Sequence, residues 1–184
     1  VIFTLIFVAL PLLAQEEKVE LAGKLPPKAM VYLESGQLSA QLGKLLDSGF
    51  ADKFVKTQVY KDFTVSKLFN KLGDRIKSLE EATGFGFDLD NLRNLAGDHS
   101  ALALYDIAEL KFVLLTRIEQ QKVMASSLWG LREKFETRKA TAIGKDYWVK
   151  EDNGGRVSFA FAFHAGYLVA GTDLPNFEKT LELM

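Results

Sequence analysis

Cysteine is absent from the 184 residues. No disulfide, no thiolate zinc site and no cysteine nucleophile can form. The absence does not assign a redox compartment, since many exported bacterial proteins also lack cysteine. There are two histidines and four prolines. Neither sign of charge dominates: 23 basic residues meet 24 acidic ones, for a net charge of -1. No overall charge excess draws the chain to nucleic acid or to an anionic membrane surface. The longest apolar stretch, VIFTLIFVALPLLA, has 14 residues with only Thr4 and Pro11 outside the apolar set, short of the roughly 20 that span a bilayer as a helix. At this length a single core can bury most of the unfolded surface without covalent staples.

The common chemical templates are missing too. Gly84-Phe85-Gly86 lacks the third glycine of a dinucleotide fingerprint and follows a helical stretch, where a strand is required. Gly144-Lys145 is followed by Asp146 and has no glycine five residues earlier, so it is no phosphate loop. Asp88 and Asp90 start like a calcium loop, but Leu92 stands where an oxygen ligand belongs and Arg93 where the glycine belongs. No Gly-x-Ser-x-Gly elbow occurs. Asp98, His99 and Ser100 are adjacent in an expected strand, where neighbours point to opposite faces and cannot form a triad. Glu80-Glu81 and Glu151-Asp152 read as solvated surface. The 21 aromatics, 14 of them Phe, lack the basic surround of a base-stacking platform. These failures imply no cofactor, no metal and no nucleic-acid partner.

What is present begins with the leader. Residues 1–14 carry no charge and end in Ala14, and the text then turns polar at QEEKVE. This is the apolar core of a secretory signal peptide whose basic start is missing. Export to the periplasm or cell surface is expected, with membrane contact only through this segment if it stays uncleaved. Residues 15–27 read as a polar linker ending in Pro26-Pro27, and 28–184 as one domain. The final helix carries Phe177, Leu181 and Met184 on one face with the pattern still running, so a C-terminal truncation is expected.

Within the domain, AMVYLE (29–34) reads as a strand. Ser35 is placed to cap a helix bearing Leu38, Leu42, Leu45 and Leu46 that stops near Gly49. Phe50, Phe54, Val55 and Val59 continue a helical pattern to about 61. Leu68, Leu72, Ile76 and Leu79 form one stripe ending at Gly84. Asp88 caps a short helix with Leu89, Leu92 and Leu95 inward, and Gly97 ends it. After 98 the period becomes two, with strands at 101–105 and 111–117. A helix over about 119–135 carries Met124, Leu128, Leu131 and Phe135 along one side. KDYWVKED and RVSFAFAFH flank a hairpin turn at Asn153-Gly154-Gly155, and GYLVAGTD follows a tight turn near Ala165-Gly166. The order is strand, several helices, two strands, helix, four short strands and a helix. That order predicts an α+β fold, a mostly antiparallel sheet with amphipathic helices packed on one face.

Alternation divides the sheet into a large face and a small one. Val157, Phe159, Phe161, Phe163, Leu102 and Leu104 belong to the large face, expected under the helices. Ser158, Ala160, Ala162, His164, His99, Ala101, Ala103 and Tyr105 belong to the small face, either packed against a second layer or open. Both histidines fall on it. His99, Tyr105 and His164 therefore form the candidate binding face, and the two histidines are placed where they could approach each other across strands.

LPPKAMVYLES and LDNLRNLAGDHSALALYD resemble a family of exported bacterial domains of unknown function. The shared parts are Leu25-Pro26, Thr83-Gly84, Asp88 to Ala96, Gly97, and the strand Ser100 to Tyr105. The resemblance covers about 25–184 and implies an extracytoplasmic, membrane-tethered or free, α+β domain. It carries over no activity and no catalytic residue. The leading expectation is an exported non-enzymatic domain that binds or scaffolds an unknown protein or small ligand. The alternatives are an exported hydrolase or metal-dependent enzyme completed by missing C-terminal sequence, and a structural half-domain whose alanine face docks the lost half.

Overall fold

A computed structural model of the chain describes residues 21–140, 144–151 and 157–184. The expected leader and the Asn153–Gly155 turn lie outside the described residues. Seven strands form one sheet in the order β1-β2-β3-β7-β6-β5-β4, with every neighbouring pair antiparallel. They are β1 (Val31–Gly36), β2 (His99–Asp106), β3 (Lys111–Arg117), β4 (Glu136–Ala140), β5 (Lys145–Glu151), β6 (Val157–His164) and β7 (Tyr167–Gly171). β1 to β3 make one meander and β4 to β7 a second. They join where β7 pairs with β3, Leu115 opposite Val169. The fold is α+β, as the alternating strands and amphipathic helices require.

The connection from β1 to β2 holds five helices: α1 (Leu38–Asp47), α2 (Phe50–Phe54), α3 (Gln58–Thr64), α4 (Lys67–Thr83) and α5 (Leu89–Leu95). α4 begins where the Ser66 hydroxyl accepts from the Phe69 N–H. It ends at Gly84, held at φ 72°, where a side chain would be strained. Asp88 caps α5 as its sequence predicts, accepting from the Asn91 N–H. Ser35 does not cap α1. It stays in β1 and its hydroxyl donates to Gln41 Oε1 (2.6 Å), while Gln37 begins the helix in the left-handed region. The pattern expected to run helically to residue 61 splits into α2 and α3, because the Thr57 hydroxyl starts a new helix by accepting from the Tyr60 N–H.

The expected helix over 119–135 breaks in the same way. Ser126 ends α6 (Gln120–Ala125) and caps α7 (Ser127–Leu131), which runs into a 3-10 turn at Arg132–Lys134. The break turns Met124 outward, 51% exposed, and Val123 inward at 1%. β4 follows at once and completes the four short strands expected after this helix, of which the sequence locates the other three. Ala165 and Gly166, both at positive φ, make the expected tight turn between β6 and β7.

The large face behaves as predicted. Phe159, Phe161, Leu104, Phe112 and Leu168 are buried with Leu79 of α4, Leu95 of α5 and Leu128 of α7. The question left open for the small face is answered by α8 (Leu174–Leu183), capped by Asp173. Its Phe177 and Leu181 pack with Leu21 and Leu25 onto Ala101, Ala103, Ala160 and Ala162. Small side chains let a helix and the segment 21–25 approach the strands closely, so both faces are close-packed. Leu21 and Leu25, within the expected polar linker, thus pack against the sheet.

Candidate functional site

Helix α8 and residues 21–25 lie over the alanine centre of the small-residue face. Its three candidate residues are far apart. Register places Gly36, His99, Arg117, Tyr167 and His164 in one row across β1, β2, β3, β7 and β6. Three strand spacings separate the histidines, about 14 Å, so they do not approach each other. Tyr105 lies six residues along β2 from His99, about 20 Å away, and donates its hydroxyl to the Pro26 carbonyl (3.0 Å). Burial, and then the charge of Asp173, raises its phenol to about 12. Among the described residues, no group of three or more His, Asp or Glu is placed to hold a metal ion.

His99 is instead part of a local polar knot. Its Nε2 donates to Glu34 Oε1 (2.6 Å), which also accepts from the Leu21 N–H (3.1 Å). The Tyr32 hydroxyl donates to the other oxygen of Glu34. The knot ties the 21–25 segment to β1 and β2. Ser100, on the opposite side of β2 as alternation requires, pairs with the Thr116 hydroxyl (2.7 Å) and so stays out of reach of His99. Glu80, read as solvated, accepts the Phe87 N–H (2.8 Å) and shapes the loop after α4. Glu151 pairs with Arg138 (2.6 Å) at the β4–β5 edge.

The concave feature lies on the other side of the sheet. An apolar pocket of about 80 Å³ sits between the large face and the helices. Its floor is Leu102, Leu114, Phe112, Ala170 and Phe159 from β2, β3, β7 and β6. Phe85 and Phe87 close one side, edge to face with centroids 5.1 Å apart. Leu38 and Leu42 of α1 and Leu92 and Leu95 of α5 form the roof. A narrower hollow of about 20 Å³ adjoins it beneath β1, sharing Leu38, Leu102 and Leu114. Every lining side chain of the larger pocket is hydrocarbon, so it offers burial and shape and no ionisable group. Such a wall gives a water molecule no polar partner.

The loop between α4 and α5 shapes one side of the pocket. Gly84 stops α4, Phe85 and Phe87 dive into the core, and Asp88 restarts the chain as α5. Sequence reading marked the joints and missed the space they leave. The residues that line it are spread over seven elements and loops, and nothing local in the chain records their convergence.

What the geometry defines is a seven-stranded antiparallel α+β domain, packed on both faces, with an apolar pocket under its helices. No protein-family model, no curated protein and no solved structure matches the chain.

Proposed function

We propose that this is an exported, non-enzymatic binding domain that holds a small aliphatic group in the pocket between α1, α5 and the sheet. The carrying observation is the pocket wall: twelve residues, all apolar, around about 80 Å³. The uncharged leader at residues 1–14 supports export. A wall without acid, base or nucleophile favours retention of a ligand over its conversion. Leu38 and Leu42 sit on α1, which starts without a side-chain cap, so α1 is the element placed to admit a guest.

Linear alcohols of increasing length test the reading by calorimetry. Each added methylene buried is worth about 0.8 kcal/mol, so affinity rises about fourfold per carbon until the pocket is full. Ala170→Leu, which grows a side chain into the void, abolishes binding while leaving the unliganded melting temperature equal or higher. Binding that ignores chain length, or that survives Ala170→Leu, would remove the pocket from the proposal.

A further inference from the structure

A second surface stands out on grounds independent of the pocket. The near-neutral chain hides a strongly segregated stretch. Between residues 53 and 71 there are five lysines, Lys53, Lys56, Lys61, Lys67 and Lys71, against the single acid Asp62. That is a local charge of +4, which leaves -5 for the rest of a chain whose total is -1. Only Lys71 among these lysines has an ion-pair partner within the described residues, Glu109 at 2.9 Å. The other four are exposed.

The same stretch holds three of the six large apolar side chains most exposed among the described residues: Val59 at 72%, Val65 at 80% and Leu68 at 40%. Val65 follows Lys61 by one helical turn, and Leu68 lies across the Ser66 cap. The α4 stripe explains why the tip is bare. Leu79 is 5% exposed and on the sheet, Leu72 and Ile76 are half-buried, and Leu68 overhangs the core. Beneath the tip, Phe63 and Phe69 pack edge to face with centroids 5.4 Å apart, which makes the corner firm. Exposed valine and leucine are unfavourable in water, and unpaired lysines beside them attract anions.

We propose that the stretch from α2 to the start of α4 is a membrane-docking tip: Val65 and Leu68 at the α3–α4 corner enter the headgroup region of an anionic phospholipid surface, while Lys61 and Lys67 beside them, and Lys53 and Lys56 of the preceding helix and loop, engage its charge. A lipid surface accepts both features at once, apolar side chains at the acyl boundary and lysines at the headgroups. An acidic protein surface would match the lysines and leave Val65 in water. No helix among the described residues is long and apolar enough to cross a membrane, so this contact is peripheral.

The cysteine-free chain allows a direct test. Val65→Cys in the full chain carries an environment-sensitive fluorophore, and Glu182→Cys on α8, across the sheet, is the control. Vesicles are either pure phosphatidylcholine or equal parts phosphatidylcholine and phosphatidylglycerol. Whether or not the apolar leader holds the chain to both, the probe reports only on its own site. Emission from position 65 should shift to the blue on the mixed vesicles, much less on the neutral ones, and position 182 should not respond. Replacing Lys53, Lys56, Lys61 and Lys67 by Gln should weaken the response roughly tenfold or more, as should high salt, with the melting temperature unchanged. An unshifted probe at 65, an equal shift at 182, or a shift indifferent to the four lysines overturns the proposal. So does a shift that grows with protein concentration without vesicles, which would assign the corner to a second copy.

Discussion

At Gly97 one hydrogen atom stands where a methyl group would lie 1.7 Å from the carbonyl oxygen of Arg117. The glycine is held there from both sides: its N–H donates to the buried Thr116 hydroxyl (2.8 Å), and the next N–H, of Asp98, donates to Arg117 O (3.0 Å). Sequence reading made Gly97 a helix stop. The helix stop is in fact at Ala96, in extended conformation, and Gly97 serves close backbone approach. Gly97→Ala should cost about 3 kcal/mol or more, because backbone cannot yield as a flexible side chain does. Gly43→Ala, mid-helix in α1 with nothing within 4 Å of the added carbon, should gain roughly 0.5–1 kcal/mol. Urea unfolding of the two variants measures both signs. Tyr147 gives a residue-scale pH effect. Burial, then its hydrogen bond to Glu178 (2.6 Å), raises its phenol to about 12. Tyr105 is raised to a similar value. Folding favours the neutral phenol in each case. Their stabilisation is whole below the unfolded value near 10 and is lost as pH climbs from there through about 12. Phenolate absorbance should therefore lag a free-tyrosine titration until the chain unfolds.

At the scale of elements, side-chain caps decide where helices begin. Thr57, Ser66, Asp88, Ser126 and Asp173 each accept the N–H three residues on. Asp88→Ala should cost about 1 kcal/mol and Asp88→Asn almost nothing. Since α5 carries Leu92 and Leu95 in the pocket roof, Asp88→Ala should also weaken alcohol binding, measured on the same calorimeter. Caps at Asp88 and Gly84 were legible because their chemistry is local. The interruptions at Thr57 and Ser126 were not, since an apolar spacing that suits one long helix also suits two short ones. Tertiary packing made the choice there, burying Val123 and leaving Met124 in water.

At the scale of the whole molecule, the sheet is a shared wall between two cores. One is built of Phe and Leu beneath α4, α5 and α7, and the other of Ala and Val beneath α8 and residues 21–25. Phe177 is fully buried and anchors the second core against Tyr147, with ring centroids 5.4 Å apart. Phe177→Ala should cost about 3–5 kcal/mol and expose the alanine face, read as a lowered urea midpoint with increased binding of an apolar dye. Because α8 seals that face, loss of stability should precede any gain of ligand binding there.

The α+β class, the two sheet faces and the main helix stops follow from the sequence alone. Periodicity and capping depend on residues a few positions apart, and their chemistry is readable in any short window. Tertiary structure alone decided the rest. His99 and His164 share a face but sit three strands apart, because β7 and β3 come between them. The alanine face is closed because a distant helix returns to it, and the apolar pocket exists because seven separate segments converge. Strand order and helix placement are set by which buried surfaces fit together over the whole chain. That choice depends on contacts between residues far apart in sequence, which no local pattern encodes.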